Sequence, residues 1–204
     1  MPSIHPTATI EDLVLIGEGS VVWADVHIRG PASIGRDCII GEKTYIAYGV
    51  AIGSLVKVNA NVYICTAVTI EDRVMVSAGV IFTNDRYPRA FARTGNRLAA
   101  SGPTEDTLPT IVREGATIGA GAVIGPGIEI GSYAMVGMGS VVTADVPPHG
   151  LVYGNPARLH GRVCVCGTPV DATGGSFRCE RCEREIAPVG HDNRTIANGK
   201  WQMG

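Results

Sequence analysis

Apolar residues recur along this 204-residue chain at every sixth position. From Ile10 the series runs through Ile16, Val22, Ile28, Ile34, Ile40, Ile46, Ile52, Val58, Ile64, Ile70, Val76 and Phe82. It resumes in phase at Val112, Ile118, Ile124, Ile130, Val136 and Val142. Four residues after each anchor stands a small or β-branched side chain: Val14, Ser20, Val26, Ala32, Cys38 and Thr44, then Val50 through Val80, and Ala116, Ala122, Ile128, Ala134, Ser140 and Val146. Glycine often follows the anchor directly, as at Gly17, Gly35, Gly41, Gly53, Gly119, Gly125, Gly131 and Gly137. An internal repeat this regular decides the fold. Each hexad predicts a short strand and a turn, with the anchor inside, the small residue near a corner and glycine where φ is awkward. Stacked coils pair as parallel strands, and each buries the apolar face of the next. The expectation is an all-β parallel β-helix over roughly residues 10–146.

Composition agrees with that reading. The chain holds 23 Val and 19 Ile against 7 Leu, together with 27 Gly and only 5% aromatic residues. Branching at Cβ suits a pleated strand better than a helix. A formal charge of -2 argues against a nucleic-acid partner, which clustered Lys and Arg would serve. No apolar run approaches the roughly 20 residues of a membrane span. The first residues lack the basic stretch and apolar core of a signal peptide. These features predict a cytoplasmic protein with neither nucleic acid nor membrane as partner.

A regular prism has no pocket, and ligand sites need concavity. Concavity can come from a loop that interrupts the repeat or from the groove between neighbouring prisms. The interruption, at residues 84–110, opens with Phe82-Thr83-Asn84-Asp85-Arg86-Tyr87-Pro88-Arg89-Ala90. A loop of this length inside a tight repeat costs little stability and is a usual carrier of function. The predicted organisation is a β-helix domain over 1–160, a small cysteine module over 161–189 and a polar tail over 190–204.

The hexads resemble those of the hexapeptide-repeat acyltransferases. That resemblance implies a left-handed β-helix, three faces, eighteen residues per coil and a homotrimer. The loop motif, with Gly115-Ala116-Thr117-Ile118-Gly119-Ala120, Val22-Trp23-Ala24-Asp25-Val26-His27-Ile28, Asp145-Val146-Pro147-Pro148 and Gly154-Asn155-Pro156-Ala157-Arg158, is similar to the N-acetyltransferases of nucleotide-linked amino sugars. It implies acetyl-CoA as co-substrate and a nucleotide-linked amino sugar as acceptor. In that subgroup the residue matching Asn84 orients the acceptor amine. An asparagine cannot act as a base, but its carboxamide can accept a hydrogen bond from an amine; alternatively Asn84 caps its own turn.

His27 is the conventional base candidate, or else a packing residue. Asp85 has three readings: orienting a base, binding a sugar hydroxyl, or pairing with Arg86. Arg86 and Arg89 match phosphate oxygens or form salt bridges, and Tyr87 stacks on a base or seals the loop. For the coenzyme the candidates are Gly119, Ala120, Ala122, Ala134 and Gly137 along the later coils, with Arg158 for a phosphate. The glycines are also what the hexad itself needs.

Beyond His160 the hexads stop. Cys164, Cys166, Cys179 and Cys182 form two close pairs, which suit a four-thiolate tetrahedral site. A zinc-ribbon-like hairpin with Gly174-Gly175 at its tip is the expectation, its zinc structural because a closed sulfur shell leaves no open position. Disulfides and a redox site are the alternatives. Cys38 and Cys65 lie within hexads and read as packing residues. The same fold serves two other functions. A β-helix carbonic anhydrase needs clustered His ligands, and no His lies between residues 28 and 148. A non-enzymatic scaffold has no need of the Asn84 loop.

Overall fold

The structure is a computed structural model that describes residues 1–92, 95–99, 102–170, 177–186, 196–197 and 200–201. Nearly every hexad of the repeat forms a strand of two or three residues, and the strands collect into three parallel sheets. The first face begins with Ser3–Ile4 and Val21–Val22, the second with Thr9–Ile10 and His27–Ile28, and the third with Val14–Ile16 and Ala32–Ile34. Register fixes the pitch. Ser3 pairs with Val21, His27 with Tyr45, Tyr45 with Tyr63, and Leu15 with Ser33, always eighteen residues apart. Across the interruption Met75 pairs with Thr117 and Ile81 with Val123, forty-two apart. The loop therefore inserts four extra hexads' worth of chain, and the β-helix resumes in phase.

Inside the prism the anchors from Val22 onward are almost wholly buried, with Phe82, eight isoleucines and Val22 among the largest. The small-residue column is buried too, including Val26, Cys38, Ala116, Ala122 and Ala134. Each such Val or Ile contributes about 1.5–3 kcal/mol on burial, so the repeat is its own core. One column member is uncomfortable: Thr110 is buried and, among the described residues, its Oγ1 has no hydrogen-bond partner.

The glycine expectation needs correction. Positive φ falls three residues after the anchor, not one. Asp25, Asp37, Lys43, Leu55, Asn61, Arg73 and Tyr133 occupy it at φ of 56–61°, and Gly79 at 70°. Glycine directly after the anchor answers close packing instead. A Cβ on Gly119 would stand 2.5 Å from Met138 N and 2.7 Å from Val136 O of the next coil.

The first face does not stop with the hexads. Gly150–Gly154 continues it in parallel with Met135–Val136, then Ala157–Val163 turns back antiparallel and Pro169–Val170 adds one strand more. The boundary expected at 160 thus falls within a strand, and the cysteine module grows directly from the sheet. A second hairpin pairs Phe177–Arg178 with Glu185–Ile186. The tip residues Gly174 and Gly175 lie outside the described residues, as does most of the tail. Among the described residues no helix is long and apolar enough to cross a membrane.

Candidate active site

Asn84 follows Ile81–Phe82, the last strand of the second face before the interruption, where the chain would otherwise turn into the third. Eighteen-residue stacking puts Gly30, Tyr48, Thr66 and Asn84 in one column along this corner. The Asn84 Nδ2 donates to the carbonyl of Thr66 at 3.4 Å, and its backbone carbonyl accepts from Leu108 N at 2.8 Å. The loop's two ends are tied together by a bridge between Asp85 and Thr107, whose Oγ1 donates to Asp85 Oδ1 at 3.0 Å. Among the described residues, nothing donates to Asn84 Oδ1, so the anchored carboxamide keeps an acceptor for a ligand.

Asn84 and Asp85 share a cavity of about 260 Å³ with Arg29, Tyr45, Tyr48, Tyr63, Cys65, Thr66 and Thr107. Arg29 lies over the Tyr48 ring, 5.2 Å from its centroid, and its Nε donates to Glu11 Oε1 at 3.2 Å. His27 Nε2 meets the same oxygen at 3.0 Å, while Gly30 N donates to Oε2 at 3.3 Å. The His27 hydrogen bond first, then Gly30 and Arg29, holds the Glu11 carboxyl below its ordinary range against a smaller opposing effect of burial. His27 stands edge-on to Tyr45, which stacks on Tyr63 at 5.2 Å.

The sequence candidates separate here. Asn84 and Asp85 come together. His27 does not join them: it lies three coils away, about 14 Å at the spacing of paired strands, with its Nε2 committed to Glu11. Arg86, Tyr87 and Arg89 are exposed, and Asp85 meets Thr107, with no ion pair to Arg86 among the described residues. Arg89 Nη1 donates to Pro88 O at 2.9 Å. Tyr87 and Arg89 line a neighbouring cavity of about 350 Å³, together with Glu105 and Asp106. Gly119, Ala120 and Gly137 lie on another corner, between the first and second faces. Ala122 and Ala134 are 0% and 1% exposed and point into the prism, so as coenzyme contacts they are corrected to core residues. Arg158 is exposed on the terminal hairpin, its Nη1 on Ala157 O.

Arg29, Tyr45, Tyr48 and Tyr63 were missed in the sequence. Writing it in rows of eighteen would have found them, because His27, Tyr45 and Tyr63 then share one outward column and Tyr48 and Asn84 another. A broader depression of about 460 Å³ lies on the third face beside Glu71, Asp72 and Glu114. Its carboxylates are already engaged, Glu71 by Arg113 and Glu114 N, Asp72 by Ser54 N, and Glu114 by Arg73.

At the far end, the Sγ atoms of Cys164, Cys166, Cys179 and Cys182 all lie within 4.8 Å of one another. Cys164 and Cys182 are 3.4 Å apart and Cys166 and Cys179 3.7 Å apart, too far for disulfides. Sulfurs at about 2.3 Å from a tetrahedral ion stand roughly 3.8 Å from each other, so the cluster fits a metal.

Comparison with known proteins agrees with this geometry. Residues 13–48 and 109–144 match the family model described as bacterial transferase hexapeptide (six repeats), and residues 31–66 match the hexapeptide repeat of succinyl-transferase. The chain is 45% identical over 169 residues to the dTDP-3-amino-3,6-dideoxy-alpha-D-galactopyranose 3-N-acetyltransferase of Aneurinibacillus thermoaerophilus, covering 80% of this chain and 79% of that one. It is 29% identical over 160 residues to serine acetyltransferase 4 of Arabidopsis thaliana, covering 78% of this chain and 29% of the relative. In fold it matches a variant of AntD, an N-acyltransferase from Bacillus cereus, solved with dTDP-4-amino-4,6-dideoxyglucose and coenzyme A. That match has a TM-score of 0.62 at 21% identity over 74% of this chain and 83% of the other. With repeat, interrupted corner and sequence all in agreement, the chain belongs to the hexapeptide-repeat acyltransferases, within their nucleotide-sugar N-acetyltransferase branch.

Proposed function

We propose that this enzyme moves the acetyl group of acetyl-CoA onto the amine of a nucleotide-linked amino sugar, with Asn84 as the residue that aims the amine. The observation that carries this reading is the Asn84 carboxamide. It is anchored to Thr66 in the lining of a cavity, and among the described residues nothing donates to its oxygen. Oδ1 takes one amine N–H, which points the nitrogen lone pair at the thioester carbonyl. The nitrogen attacks, the carbon–sulfur bond breaks, and the departing thiolate takes up the proton that the amine loses. Positioning supplies most of the acceleration, and no separate strong base is required. That suits a corner where His27 lies coils away.

The thioester comes from a neighbouring copy in a homotrimer. In one chain Ala120 and Arg158 stand on a different corner from Asn84, and a groove between copies brings the two corners face to face. The four cysteines hold a structural zinc. The supporting facts are the sulfur spacings and a donor set with no position left for a substrate. When bound, zinc supplies folding energy to a module too small for a core of its own.

The test is Asn84→Ala, assayed by thiol release with acetyl-CoA and a panel of nucleotide-linked amino sugars. A kcat loss of about 100-fold or more with unaltered melting supports the role. Wild-type turnover retained in the variant removes Asn84 from the mechanism. Silence of the wild-type enzyme towards every nucleotide-linked amine sinks the substrate class itself.

A further inference from the structure

We infer that Arg29, which the loop motif gave no reason to single out, is the diphosphate anchor of this site, and that the corner from Arg29 to Asn84 measures substrate length. The inference rests on the acetyltransferase reading above and names how that site recognises its acceptor. Among the described residues lining the cavity, Arg29 is the one cation. Its Nε is taken by Glu11 and its plane lies over Tyr48. Glu11 is fixed in turn by His27 and Gly30 N. The Tyr45 hydroxyl, followed by Glu11, keeps the guanidinium charged. Beyond Nε and the N–H that meets the Tyr45 hydroxyl, the other N–H groups have no protein acceptor among the described residues, and a guanidinium held this way matches phosphate oxygens.

The other end of the same cavity carries Asp85 beside Asn84. Within the cavity lining the cation and the carboxylate thus stand at opposite ends, carried by coils whose backbones lie about 14 Å apart along the axis, with Glu11 paired to Arg29 outside that lining. A ligand with an amine at one end and phosphates at the other fits that polarity in one direction only. A free amino sugar is too short to reach both ends, whereas a sugar diphosphate is not. Arg86 and Arg89 are worse placed, being exposed, and Arg89 faces a cavity that Glu105 and Asp106 also line.

The experiment is titration calorimetry of full-length protein with dTDP alone, alongside steady-state kinetics with nucleotide-linked and free amino sugars. Arg29→Gln is expected to weaken dTDP at least about tenfold, and Arg29→Lys by less, since the charge survives but the planar fork does not. KM for the nucleotide-linked acceptor rises in parallel while KM for acetyl-CoA stays, and the preference over the free sugar shrinks. Arg36→Gln, an exposed arginine on another corner, leaves all of these unchanged. Melting curves confirm folding, and Arg29→Lys carries the test if the glutamine variant does not fold. Undiminished dTDP affinity in the Arg29 variants overturns the inference, as does a wild-type protein that binds no dTDP. Arg29-dependent dTDP binding without acetyl transfer to any nucleotide-linked amine sinks the substrate reading while leaving the anchor in place.

Discussion

Cys65 sits in the wall of the cavity that Asn84 lines, yet burial pushes its thiol up to about 12. A thiol, not a thiolate, faces the acceptor at working pH, and the thiol is a poor nucleophile. An acetyl-cysteine intermediate is therefore disfavoured and direct transfer favoured. Incubation with acetyl-CoA alone should add no acetyl mass to Cys65. A stable adduct there, formed and discharged at the rate of turnover, would replace direct attack with a two-step route. At the same scale, the exposed Leu55 occupies a left-handed conformation at φ 61°, which costs a branched residue about 1 kcal/mol. Asparagine tolerates that region, so Leu55→Asn should raise the melting temperature slightly, and a fall would show that Leu55 makes a stabilising contact elsewhere.

A single hexad is too short to be stable, and the element that folds is the coil against its neighbours. Thr110 exposes the logic. It shares a column with Ala32, Val50, Val68 and Ile128, and among the described residues its buried hydroxyl lacks a partner. An unmet buried hydroxyl costs about 1–3 kcal/mol. Thr110→Val keeps the shape and should stabilise the protein by about that amount in denaturant unfolding; destabilisation would mean the hydroxyl is bonded in solution. This residue also lies where the inserted loop rejoins the third face, with Thr110 N donating to Ala67 O. The repeat pattern was legible residue by residue, and so was the interruption. What the loop does at its base was not, because the Asp85–Thr107 tie joins residues twenty-two apart across a stretch without periodicity.

At the scale of the molecule, a prism built of identical turns carries its specialised parts at a corner and at an end. The end is the cysteine module, continuous with the first face through Ala157–Val163. Metal removal should therefore have a local effect. Chelation, or Cys179→Ser with Cys182→Ser, is expected to release about one zinc per chain and open residues beyond Val163 to proteolysis. The β-helix melting transition should stay where it was. Collapse of that transition would show that the module supports the whole column, and absence of zinc from the purified and zinc-treated protein would discard the site.

Spacing along the chain was enough to specify the column, because inward positions recur at a fixed interval and burial of Val and Ile enforces that interval coil after coil. It also marked Asn84, because the interval breaks there. It left undecided which outward residues share a corner, since that depends on the eighteen-residue pitch set by backbone pairing between coils. Only the tertiary structure stacked Arg29, Tyr48 and Asn84 along one edge, and turned Ala122 and Ala134 inward. It alone set His27 against Glu11. Side chains far apart in sequence become neighbours when hydrogen-bonded strands fix how much chain makes one turn.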